Sequence, residues 1–94
     1  MYAVNLHSVG NPDFGQYAPV SEPQRVTART LAAIAKRCRE YIEFWDMGGG
    51  NWTSPPVYKN GEYIGYVSYN GKVWAKRPAE WTISEKPIYT PRGA

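Results

Sequence analysis

His7 and Cys38 are the residues of this 94-residue chain best able to do chemistry, and each type occurs once. An imidazole can serve as acid, base or ligand near neutral pH, and a thiolate is a strong nucleophile. A catalytic pair would need both groups exposed and adjacent. Each also has a structural reading. His7 closes an alternating segment, where one local hydrogen bond satisfies it. Cys38 falls among apolar residues at helical spacing, where cysteine packs as a small inert hydrophobe. No acidic residue recurs at strand or helix spacing around His7, and a single cysteine forms neither an intrachain disulfide nor a cysteine-based zinc site. No metal and no cofactor is expected.

Glu40 and Glu43 share the same stretch with Lys36, Arg37 and Arg39, a spacing that suits mutual ion pairing better than acid–base work. Gly48-Gly49-Gly50-Asn51 has the glycine density of a phosphate loop. It follows a helix instead of opening one and lacks the Lys-Ser/Thr ending, and a helix C-terminus carries the wrong dipole sign for phosphate. The chain is therefore expected to bind something and not to be an enzyme.

The elements that would position these residues follow from periodicity. Tyr2, Val4 and Leu6 alternate with Ala3, Asn5 and His7, as in a strand. Gly10 to Pro23 is rich in turn formers, with Phe14 and Tyr17 available to pin the loop. Leu31, Ile34, Ala35, Cys38, Ile42 and Trp45 form one helical stripe, which predicts a helix over about residues 28–46. Thr27 is its candidate N-cap, with Thr30 as the later option, and the triple glycine is its candidate C-cap. Asn60-Gly61 and Asn70-Gly71 are type I′ hairpin signals, predicting a three-stranded meander over residues 57–76. The tail, 77–94, is partly irregular, with Trp81, Ile83, Ile88 and Tyr89 able to dock part of it. The expected fold class is α+β: one amphipathic helix packed on a small antiparallel sheet, in the order β-α-β-β-β, as a single domain.

Two-residue turns would place Val57, Ile64, Tyr66, Ser68, Val73 and Ala75 on one face of the meander. Tyr58, Tyr63, Gly65, Val67, Tyr69, Lys72, Trp74 and Lys76 would share the other. The aliphatic face is the natural seat for the helix. The aromatic and basic face is either a recognition surface or a set of cross-strand pairs that stabilise a small sheet. Its candidate partner-binding residues are Tyr58, Tyr63, Tyr69, Lys72, Trp74 and Lys76. A second candidate patch, Arg29, Lys36 and Arg37, is either an anion contact or a solvated helix face balanced by Glu40 and Glu43.

Composition sets outer bounds. Hydrophobic residues at 43% and charged residues at 20% are enough for a core and exclude a disordered chain. A net charge of +3 favours acidic partners, a protein surface or nucleic acid, without choosing between them. Met1 to His7 has no basic segment and no long apolar run, so a cytoplasmic protein with no membrane span is expected.

The β-α-β-β-β plan, the Gly48-Gly49-Gly50-Asn51-Trp52 run and the Tyr69-Asn70-Gly71-Lys72-Val73-Trp74 hairpin together resemble short proteins of phages and mobile elements, among them anti-CRISPR proteins. The resemblance spans about residues 27–76 as a pattern, and no residue-level functional motif carries over. It implies a phage inhibitor that docks on host CRISPR effector subunits and blocks DNA binding or nuclease recruitment. Many anti-CRISPR proteins are acidic and imitate DNA, whereas this chain is basic, so aromatic and arginine anchors would have to carry the contact. A basic nucleic-acid-binding domain using the sheet face or the helix is the alternative.

Overall fold

In a computed structural model, residues 1–75 and 86–91 are described. Five strands form one antiparallel sheet in the order β2-β1-β3-β4-β5, with one helix packed against it. The strands are β1 (Tyr2–Leu6), β2 (Gln24–Ala28), β3 (Pro56–Lys59), β4 (Glu62–Val67) and β5 (Val73–Trp74). Helix α1 (Leu31–Phe44) follows β2. The α+β architecture expected from the pattern is present, with β2 as an added strand on the outer side of β1.

β2 is faint in the sequence because only Val26 of its five residues is fully buried, and Gln24, Arg25 and Thr27 are exposed. An edge strand has little need of a two-sided apolar pattern, and charged edge residues discourage stray pairing. Thr27 therefore belongs to a strand and is not an N-cap. Thr30 caps α1 instead, its hydroxyl accepting from the Ala33 amide at 3.1 Å.

The helix ends before the triple glycine. Asp46 takes the left-handed conformation (φ 51°), and its amide donates to the Glu43 carbonyl while the Met47 amide donates to that of Ile42. This is a Schellman ending with aspartate in the place glycine usually fills, and Met47 buries itself beside Ile42 to close it. A β-carbon in that conformation carries a steric cost that glycine avoids. Asp46→Gly should therefore stabilise the fold by about 0.5–1 kcal/mol, seen as a higher urea midpoint at unchanged slope.

The Asn60-Gly61 turn behaves as expected: both residues have positive φ, Lys59 pairs with Glu62 and Tyr58 with Tyr63. The pairing then shifts, and Val57 faces Gly65 where Ile64 was expected. Ile64 is the extra residue of a β-bulge, and it still packs against the core. The Asn70-Gly71 turn departs further. Only Gly71 has positive φ; its amide donates to the Ser68 carbonyl, and the Ser68 amide donates to that of Lys72 at 2.8 Å. That is a three-residue loop, a type I turn closed by a left-handed glycine. The Asn70 side chain holds it, its Oδ1 accepting from the Ser68 hydroxyl and the Lys72 amide.

These two departures reassign side chains, because a one-residue slip exchanges faces. Val67 now pairs with Val73, and both are fully buried with Val57; Tyr66 pairs with Trp74 on the far side. The expected register would have put Val67 and Val73 on opposite faces, so burial of both valines favours the slip. The core joins Val4, Leu6, Val26, Val57, Val67 and Val73 to Ile34, Cys38, Tyr41 and Ile42 of α1. The Trp52 indole, donating to the Val67 carbonyl at 2.9 Å, closes one end. In the tail, Tyr89 packs on this core and bridges Val73. Lys76, Trp81 and Ile83 lie outside the described residues.

Candidate functional site

Cys38 is buried within the core cluster, and burial pushes its thiol up to about 12 against a smaller downward pull from the Arg37 guanidinium. A thiol in that setting supplies no thiolate at neutral pH. His7 Nε2 lies 3.5 Å from the Thr53 hydroxyl, a partner that the α1–β3 connection brings to the end of β1 and not the local one expected. Native Cys38 should resist a thiol-specific disulfide reagent at pH 8 and react fully once unfolded in urea. The raised folded value also sets a sign. Unfolded cysteine ionises from about 9.0, so this residue's contribution to stability is complete below that pH and is lost on the way to about 12. Cys38→Ala should remove that part of the alkaline slope.

The expected aromatic face is partly assembled and partly dispersed. Tyr58 pairs with Ala3 and Tyr63, and Tyr66 pairs with Pro56 and Trp74, so Tyr58, Tyr63, Tyr66 and Trp74 share the face away from α1. The Tyr58 and Tyr63 rings meet edge to face at 6.1 Å. Tyr66 is only 3% exposed and Trp74 is half-buried, whereas Tyr63 remains 44% exposed. Of these four rings Tyr63 is the most open to a partner, with Tyr58 and Trp74 half-buried beside it.

Tyr69 does not belong to that face. Its hydroxyl donates to the Met47 carbonyl at 3.0 Å, the Arg39 guanidinium lies over its ring, and Arg39 Nη1 donates to its carbonyl at 2.6 Å. These contacts fasten the β4–β5 loop to the end of α1. Lys72 is half-buried in the same loop, and its backbone closes the turn. The register slip is the physical reason: a longer loop turns Tyr69 and Lys72 away from Trp74.

The helix patch also divides. Arg37 faces Glu40 at 3.8 Å and Arg39 faces Glu43 at 3.7 Å, both as neighbours along α1. Lys36 is exposed one turn below Glu40, and Arg29 is exposed before the helix, next to β2. Lys36 and Arg39 flank a shallow hollow of about 380 Å³ between α1 and the tail residues Tyr89 and Pro91.

A different surface stands out. Phe44, the last residue of α1, is 79% exposed, and its ring meets Trp45 edge to face at 5.2 Å. Trp45 in turn lies 6.4 Å from the Tyr41 ring. These three aromatics, with Arg37 and Glu40, form one wall of an open groove of about 460 Å³ whose other wall is Glu22-Pro23-Gln24, where β2 begins. The Tyr41 hydroxyl fixes the floor by donating to the Glu22 carbonyl and bonding Ser21 Oγ at 2.7 Å. The sequence carried a signal for this site. Phe44 sits off the buried stripe of α1, among glutamates and arginines, where a large aromatic gains nothing from the core.

Among the described residues, no three His, Cys, Asp or Glu side chains come together as a metal site, and no helix is long and apolar enough to cross a membrane. Comparison with protein-family models, curated proteins and solved structures found no match to this chain.

Proposed function

We propose that this chain works by binding another protein and has no catalytic step of its own. The carrying observation is the exposed Phe44 ring, set against the half-buried Trp45 on the groove beside β2. Aromatic side chains offer large rigid contact area at low entropic cost, and such residues dominate the energetics of protein interfaces. The domain spends no obvious packing energy on Phe44, which supports a role outside the fold. Burial of Cys38 removes the nucleophile that an enzymatic reading would use.

The basic side chains lend less support to nucleic acid as the partner. Arg37 and Arg39 face glutamates, Arg39 is also held on Tyr69, and Lys59 lies over the Tyr2 ring, so these charges point in several directions. A phosphate-tracking surface gathers its cations along one path. The resemblance to anti-CRISPR proteins supplies a specific candidate partner, a CRISPR effector complex, which this chain would inhibit stoichiometrically.

The test is capture of partners from host-cell lysate after nuclease treatment, with Phe44→Ala and Tyr63→Ala as separate variants. Both side chains are exposed, so both variants should fold. A discrete protein partner that persists at moderate salt and is lost with Phe44→Ala is the expected result. Effector subunits in that complex would support the inhibitor reading. Nuclease-sensitive material that dissociates steeply with salt would sink the proposal in favour of nucleic acid.

A further inference from the structure

The groove beside Phe44 is bordered by Gln24, the first residue of β2, and β2 lies at the edge of the sheet. Among the described residues β2 pairs only with β1, so its outer backbone donors and acceptors have no strand partner. An extended segment laid along such an edge gains main-chain hydrogen bonds, and its alternate side chains then point to opposite faces of the sheet. On the α1 side those side chains would enter the groove lined by Pro23, Tyr41, Phe44 and Trp45. On the far side they would meet Arg25, which shares the face of Asn5 and Ala3.

Charge selects the occupant. Arg25 and Arg29 are both exposed, and no described carboxylate lies within ion-pair reach of either. Arg25 Nη1 donates to the neutral Asn5 side chain at 3.4 Å. On the groove side Glu40 already faces Arg37. A second copy of this chain would set one arginine-bearing edge against another, and like charges across a strand pair are destabilising. A strand with acidic residues on one side and an apolar or aromatic residue on the other satisfies both faces.

We propose that β2 accepts an extended segment of a partner protein as a sixth strand, acidic toward Arg25 and Arg29, with an apolar side chain seated against Phe44 and Trp45. The inference rests on the protein-binding reading and names the contact surface for it.

The probes are short synthetic peptides: an alternating glutamate/leucine–phenylalanine sequence, its lysine-for-glutamate counterpart, and the acidic sequence interrupted by proline. Binding is followed by backbone amide shifts and hydrogen exchange in the full chain. The acidic peptide should slow exchange along Gln24–Ala28 and bind at least roughly tenfold more tightly than the lysine or proline versions. Phe44→Ala should weaken it by about tenfold without unfolding the domain. The decisive variant is Arg25→Glu with Arg29→Glu, in which the preference should reverse toward the lysine peptide. Unchanged preference in that folded variant would overturn the proposal, as would shifts confined to Tyr58–Tyr63 or to β5. If no peptide binds while the lysate partner is still captured, the edge assignment falls and the protein-binding reading stands. Loss of both would remove them together.

Discussion

Gly65→Ala should cost about 2–3 kcal/mol and lower the melting temperature by roughly 10–20 °C, a large fraction of the stability of a domain this size. A β-carbon on Gly65 would overlap the Trp74 carbonyl oxygen and lie 3.0 Å from its carbonyl carbon and 3.4 Å from Ala75 Cα. All three are backbone atoms of β5 and its extension, so no side-chain rotation relieves the clash; β5 itself must move. That movement would disturb the Val67–Val73 pair, where two fully buried valines meet. Gly49→Ala is the control. Its β-carbon would meet nothing within 4 Å and its φ is not positive, so it should leave stability within about 0.5 kcal/mol of the parent. Urea denaturation of the pair checks both. Equal stability of Gly65→Ala and the parent would mean that β4 and β5 are not spaced as described.

Gly65 also marks how far the sheet could be read ahead. The hydrophobic alternation of β1 and the stripe of α1 are strong periodic signals, and both elements form where they were expected within a few residues. The Asn60-Gly61 turn was legible because its local chemistry admits one favoured geometry. Asn70-Gly71 has the same dipeptide, yet Asn70 uses its side chain to tie Ser68 to Lys72 and keeps out of the left-handed region. The difference lies in the flanking Ser68 and in the long-range gain from burying Val67 with Val73. A dipeptide rule sees neither. The bulge at Ile64 is equally silent, since it answers to the strands on either side.

The candidate site divides along the same line. Tyr58 and Tyr63 lie before the bulge, where the expected register holds, and they are together. Tyr69 and Lys72 lie beyond it, and they part from Trp74. The groove at Phe44 depends on β2, an edge strand with a single core residue, so nothing local announced its second wall. What the sequence did contain was an aromatic on the wrong side of an amphipathic helix, a feature that packing does not require.

Asn51→Ala should cost about 1–3 kcal/mol, because it breaks three part-buried hydrogen bonds made by one side chain. Asn51 is 5% exposed. Its Oδ1 accepts from the Gly48 amide at 3.0 Å, and its Nδ2 donates to the Val9 carbonyl at 2.9 Å and to Gln16 Oε1 at 2.8 Å. Its backbone carbonyl accepts from the Val9 amide. One side chain thus joins the α1–β3 connection to the loop between β1 and β2. Gly50 serves this close approach and not a helix cap: a β-carbon there would overlap the Asn11 side chain. Asn51→Asp separates the contributions. It keeps the acceptor for Gly48 but turns a carboxylate oxygen toward the Val9 carbonyl and Gln16 Oε1, which repel it. The folded state then favours the protonated acid, so the deficit should be largest at neutral pH and shrink as pH falls toward the ordinary aspartate range. A pH-independent deficit would place the loss in packing alone. Gln16→Ala should cost less than Asn51→Ala, and the double variant less than the sum of the two, since each single variant breaks the same Asn51 Nδ2–Gln16 Oε1 bond. Thermal melts of the three variants across pH 4–8 read all of these outcomes. A sub-additive cycle would show that Asn51 and Gln16 act through one shared bond, which ties the α1–β3 connection to the loop between β1 and β2. Tyr41 separately holds the Glu22 end of that loop for the Phe44 groove.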